Sequence, residues 1–129
     1  MLDLDLLPEE YAVCRLPVGA SIPAGLLSGP AEADIVSVTW TTEEISIICR
    51  SERVPAEATV ETPWRCLRVV GPVDLALTGI LASLVAPLAD ARVNIVAFST
   101  FDTDYLLVPA VRLAEALATL ARAGHRINT

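Results

Sequence analysis

The chain has 129 residues, a formal net charge of −7, 53% hydrophobic residues and a mean hydropathy of +0.56. The length admits one domain or two fused units of about 60 residues each. All nine basic residues are arginine, and so acidic a balance excludes a nucleic-acid binder, whose partner demands basic surface.

Along the chain, the acidic start MLDLDLLPEEY lacks the basic region of a signal peptide. Tyr11 to Leu16 is expected as a strand, and Pro17 to Pro30 as a loop or short helix rich in Gly, Ser and Pro. Ile35 to Thr41 alternates, with Val36, Val38 and Trp40 facing one way and Ser37, Thr39 and Thr41 the other, the period of a half-buried strand. The polar turn Thr42-Glu43-Glu44 returns the chain into Ile45 to Arg50, a hairpin. Ser51 to Glu61, with Pro55 and several charges, is expected as a linker.

The second half opens with Trp64 to Val70 as a strand. Ile80, Leu81, Leu84, Val85 and Leu88 then recur at helical spacing. Thr78 is the expected N-cap, Gly79 would let a ligand approach the backbone, and Pro87 should end or kink the last turn. Val93 to Phe101 and Asp104 to Val108 are expected strands. Leu113, Leu117, Leu120 and Ala121 mark a helix stopped at Gly124, and His125 to Asn128 a short final strand. The second half therefore reads β-α-β-β-α-β, the ferredoxin-like order, and the first half a degenerate version lacking its second helix.

Little here points to catalysis. The single histidine, His125, follows a helix end, where it is expected to meet terminal carbonyls. Cys14, Cys49 and Cys66 are widely spaced in apolar strands, which fits reduced core residues better than disulfides or a zinc motif. No nucleotide-binding or metal-ligand spacing appears, so no cofactor and no metal is expected. Every apolar run is interrupted short of the roughly 18 residues that span a bilayer, and a cytoplasmic protein with no membrane partner is expected. Trp40 and Trp64 are expected as core or subunit-interface anchors.

Gly71-Pro72, Leu77-Thr78-Gly79-Ile80-Leu81 and the run Ser99 to Val108 (STFDTDYLLV) resemble the ACT domain, in the branch found in the CASTOR family of amino-acid sensors; Thr42 to Ile47 (TEEISI) resembles the signature of that branch's leading repeat. The resemblance implies an α+β fold of two ACT repeats side by side, the first degenerate, with domains at 1–61 and 62–129. It also implies a non-catalytic amino-acid sensor, homodimeric, with the ligand at a repeat or subunit interface. The alternative is a structural or adaptor ACT dimer that has lost its ligand and binds a protein partner. In the sensor reading, backbone N–H groups of Leu77, Thr78, Gly79 and Ile80 hold the α-carboxylate at the helix start. Asp104, matching an Asp at the sensors' pocket, takes the ligand's cation; Asp102 and Thr100 are further candidates. Each bond from a charged donor to such a carboxylate is worth roughly 1.5 to 3 kcal/mol.

Overall fold

The computed structural model describes residues 1–30, 34–71 and 78–129. Its chain forms two compact units, Pro8–Trp64 and Met1–Leu7 with Arg65–Thr129.

The Pro8–Trp64 unit contains β2 (Tyr11–Leu16), the short helix α1 (Ala24–Leu27), β3 (Ser37–Trp40), β4 (Ile45–Arg50), a 3-10 turn at Ser51–Arg53 and the first part of β5 (Thr59–Val69). Its strand order is β3-β4-β2-β5, the ferredoxin-like order in which the first strand lies between the third and the fourth. Cys14, Leu16, Leu26, Ile45, Ile47 and Cys49 form its core, with Val36 and Val38 against them, so the alternation expected for β3 holds. Trp40 does not follow those valines inward; it is 60% exposed, which corrects a core placement. The expected linker is shorter than expected, because β5 begins at Thr59. That portion pairs with β2, and the register shifts between Tyr11 and Val13, opposite Pro63. Proline has no N–H for the ladder, and a bulge accommodates it.

The other unit contains β1 (Asp3–Leu6), the rest of β5, α2 (Ile80–Asp90), β6 (Val96–Ser99), β7 (Asp104–Pro109), a 3-10 turn at Ala110–Arg112, α3 (Leu113–Arg122) and β8 (Arg126–Asn128). Strands run β6-β7-β5-β1-β8. This is the ferredoxin-like order with β1 inserted between the opening and closing strands, antiparallel to β5 and parallel to β8. Sequence reading did not find β1. Its alternation of Leu2, Leu4 and Leu6 with Asp3 and Asp5 is that of a strand, but the acidic composition masked it.

Leu4, Leu67, Val69, Leu106 and Val108 of the sheet meet Leu84 and Leu88 of α2 and Ala116 and Leu120 of α3 in one core. Truncating a residue as buried as Leu88 or Leu120 costs about 2 to 5 kcal/mol. On α3 the inward face is Ala116, Thr119 and Leu120, whereas Ala121 is exposed.

Three helix-end expectations change. Thr78 does not cap α2: the N-cap is Gly79, left-handed at φ 79°, with no side-chain cap bond, a conformation glycine adopts without the steric penalty of a Cβ. Pro87 does not end the helix, which continues to Asp90. Because Pro87 lacks an N–H, the carbonyl four residues back, Ser83, has no helical donor, and the buried His125 fills that vacancy. Its Nε2 lies 3.0 Å from the Ser83 oxygen while its Nδ1 accepts from Leu2 N–H at 3.2 Å. Since Nδ1 is the acceptor, Nε2 carries the proton and donates. The His125 side chain thus serves the middle of α2 and the start of β1, while its backbone N–H donates to the Leu120 carbonyl at the end of its own helix at 3.1 Å.

Cys14, Cys49 and Cys66 are free and buried, as the sequence suggested. Burial pushes the Cys66 thiol up to about 12. The Cys49 thiol is raised by its hydrogen bond to Cys14 and by burial.

Candidate functional site

The Met1–Leu7/Arg65–Thr129 unit bears an open cavity of about 410 Å³, lined by Arg68, Val70, Gly71, Thr100, Asp102, Thr103 and Tyr105. It lies where the end of β5 meets the hairpin joining β6 to β7. That hairpin is fixed by its own threonines. Thr100 N donates to the Thr103 carbonyl at 2.8 Å, Thr103 N donates to Thr100 Oγ1 at 3.4 Å, and Thr103 Oγ1 donates to the Val69 carbonyl at 2.5 Å. The turn is therefore capped by Thr100 rather than by either aspartate, which leaves Asp102 exposed at the cavity wall.

Arg68 supplies the opposite charge. By the two-residue period of β5 it points away from Leu67 and Val69, which belong to the helix-side core. Its Nη2 donates to Asp5 Oδ2 at 2.6 Å, and Asn128 Nδ2 donates to Asp5 Oδ1 at 2.9 Å. These partners are cross-strand neighbours, Asp5 beside Arg68 and Asp5 beside Asn128. The hydrogen bond from Asn128, then that from Arg68, hold the Asp5 carboxyl below its ordinary range. The bond to Asp5 raises Arg68 against the opposing effect of burial, and Tyr105 adds to the rise. Tyr105 in turn stacks on Phe98, with ring centroids 5.2 Å apart and planes 5° from parallel.

Of the residues singled out in the sequence, Thr100 and Asp102 line the cavity. Asp104 begins β7 opposite Ser99, whose Oγ donates to Asp104 Oδ1 at 2.5 Å. Thr78, Gly79 and Ile80 form the start of α2, Thr78 and Gly79 being exposed. Leu77, with Pro72 and Asp74, lies outside the described residues. Arg68 and Tyr105 were not singled out. The available signal was an arginine beside the apolar pair Cys66-Leu67 and Val69, facing an aspartate in a second, alternating segment. Among the described residues no three His, Cys, Asp or Glu side chains are placed to hold a metal ion, and no helix is long and apolar enough to cross a membrane.

Comparison with known proteins bears on this half directly. The ACT domain model matches residues 59–122, and a second model, for an N-terminal domain, matches residues 9–57. The Bos taurus protein named cytosolic arginine sensor for mTORC1 subunit 1 is 33% identical over a match covering 67% of this chain and 30% of that protein, so the chain spans less than a third of this relative. Human CASTOR3P is 28% identical, with 74% of this chain and 72% of that protein covered. Among solved structures, a protein from Agrobacterium tumefaciens superposes with a TM-score of 0.87 at 35% identity, covering 98% of this chain and 92% of that one. The ligand-free regulatory subunit of aspartate kinase from Thermus thermophilus shares the fold, with a TM-score of 0.65 at 14% identity over 94% and 97% of the two chains.

Proposed function

Because the chain belongs to the ACT domain family, in its CASTOR-type branch, we propose that it is a non-catalytic regulatory protein that binds a free amino acid. The observation that carries this reading is the open cavity of the ACT-matched half, whose lining includes both a guanidinium and a carboxylate. A zwitterion offers a charge complementary to each, whereas an uncharged metabolite would offer neither. Thr100 and Asp102 are the proposed contacts from the hairpin; Asp104, the N–H groups of Thr78, Gly79 and Ile80 at the start of α2, and Leu77 are the proposed secondary ones. The proposal includes a cytoplasmic homodimer and regulation by linkage, in which the ligand stabilises one conformation that a partner reads.

A second reading, an adaptor that binds a protein partner and no ligand, draws on the large apolar side chains left exposed in each unit, Trp40 at 60% in one and Phe101 at 83% and Val111 at 88% in the other. Thermal unfolding in the presence of each of the twenty amino acids separates the two. The sensor reading expects at least one to raise the melting temperature, because a ligand at about 100 times its Kd adds roughly 2.7 kcal/mol of stability. No shift with any of them at millimolar concentration contradicts it and leaves the adaptor.

A further inference from the structure

The face of the sheet opposite α2 and α3 carries a row of side chains across five adjacent strands: Asn128 on β8, Asp5 on β1, Arg68 on β5, Tyr105 on β7 and Phe98 on β6. Asn128 is joined to Asp5 and Asp5 to Arg68 by hydrogen bonds of 2.9 and 2.6 Å, and Tyr105 is stacked on Phe98. The row lies outside the helix-side core, which contains none of its members. It instead holds one flexible cation in a fixed place, and the two residues at its centre, Arg68 and Tyr105, line the cavity.

The guanidinium is anchored but not saturated. Asp5 takes Nη2, Tyr105 makes a further side-chain hydrogen bond, and the side chain is still 42% exposed. Across the cavity Asp102 is exposed, and among the described residues no hydrogen bond or ion pair engages its carboxylate. An arginine held by a carboxylate on one side presents its remaining donors in a rigid fork, the geometry that recognises a second carboxylate. Resting on the amino-acid-binding reading, we infer that Arg68 is the carboxylate subsite of the cavity, that Asp102 receives the ligand's ammonium, and that Asp5 and Asn128 are positioning residues acting through Arg68. The ligand class is then an α-amino acid with a free carboxylate. The anchor comes from a side chain rather than from backbone N–H groups at the start of α2.

Calorimetric titration of the chain with each L-amino acid and with its α-amide, which keeps the ammonium and loses the carboxylate charge, tests the assignment. The parent is expected to bind a free acid about ten-fold or more tighter than the amide. Arg68→Gln is expected to bind the two alike. Asp102→Asn, on an exposed turn that tolerates the change, is expected to weaken both about equally and keep the preference for the acid. Asn128→Ala is expected to lower acid affinity a few-fold and leave the amide unchanged, which loss of fold would not do. A parent that binds free acids while Arg68→Gln keeps the acid preference, or Asp102→Asn binds as the parent does, overturns the subsite and leaves amino-acid binding standing. A parent that binds no free acid overturns both.

Discussion

The two units repeat one scaffold with different chemistry. A shift of 59 positions (96 − 37) carries β3 and β4, Ser37–Trp40 and Ile45–Arg50, onto β6 and β7, Val96–Ser99 and Asp104–Pro109, and carries the 3-10 turn Ser51–Arg53 onto Ala110–Arg112. Cross-strand partners correspond as well, Ser37 with Ile48 and Val96 with Leu107. The hairpins close in the same manner. Thr41 N donates to the Glu44 carbonyl at 2.9 Å and Thr100 N to the Thr103 carbonyl at 2.8 Å, and each threonine hydroxyl accepts from the N–H three residues on. Even the last residue of each 3-10 turn does the same work. Arg53 donates to the Gly25 carbonyl in the first turn of α1 and to the Gly29 carbonyl just past its end; Arg112 donates to the Ala91 and Arg92 carbonyls just past the end of α2.

What differs is what the scaffold carries. Where the second unit stacks Phe98 on Tyr105, the first pairs Thr39 with Ser46; where the second pairs Ser99 with Asp104, the first pairs Trp40 with Ile45. The helix that follows the second 3-10 turn, α3, has no counterpart before β5. Hairpin closure and helix-end capping are backbone requirements, and both units meet them in the same way. A binding surface is a set of side chains, free to diverge once one copy suffices.

The arginine pair offers the largest effect. Arg53 also stands 3.7 Å from Asp34, whose side chain is 3% exposed, and Arg50 is the other cation near that carboxylate, at 3.9 Å. Arg53→Ala would strand most of a buried charge and is expected to cost about 3 to 5 kcal/mol. Arg112→Ala, whose carboxylate partner Glu115 is exposed, is expected to cost about 1 to 2 kcal/mol. Urea unfolding of the two variants measures the difference; equal losses would show that Asp34 does not depend on Arg53.

His125 belongs to the second unit alone. His125→Ala leaves the part-buried Ser83 carbonyl and Leu2 N–H without their side-chain partner, at about 0.5 to 1.5 kcal/mol for each lost bond. Adding Pro87→Ala restores a helical donor to Ser83, so the double variant should recover about 1 kcal/mol or more relative to His125→Ala. Strict additivity of the two changes would refute the link between proline and histidine.

The scaffold was more legible in the sequence than the site. Hairpins and α3 announce themselves through period-2 alternation, polar turns and a leucine stripe, because each is decided by neighbours within a few residues. Asp5, Arg68 and Asn128 come from three distant segments, and nothing local says that β1 enters the sheet between β5 and β8. Asp102 and Thr100, which line the cavity, belong to one contiguous hairpin motif that is visible locally; the place of Arg68 beside Asp5 exists only after the strands align. Pro87 misled for the same reason: its missing donor is compensated by a residue 38 positions later (125 − 87).

A smaller effect is pH-dependent. Asp5 has a folded pKa below its ordinary value because Asn128 and Arg68 bond its charged form, so its contribution is present above the unfolded value of about 3.9 and is lost as pH falls through the lower folded value. Asp5→Asn should therefore be less stable than the parent by about 1 kcal/mol at neutral pH, with the gap closing below about pH 4. A gap independent of pH would mean that the carboxylate charge is not what Arg68 holds. The smallest expected effect is the most symmetric: Thr41→Val and Thr100→Val each lose one turn-capping hydroxyl, about 0.5 to 1.5 kcal/mol, and should match within error in thermal melts. A marked inequality would break the equivalence of the hairpins.

The central claim, a duplicated scaffold with binding chemistry on one copy, is tested most directly by backbone amide NMR during titration with the amino acid that most raises the melting temperature. The account predicts shifts at Arg68 and from Thr100 through Tyr105, with Thr39 through Ser46 unmoved. Shifts on the first hairpin, on both equally, or on neither would contradict it.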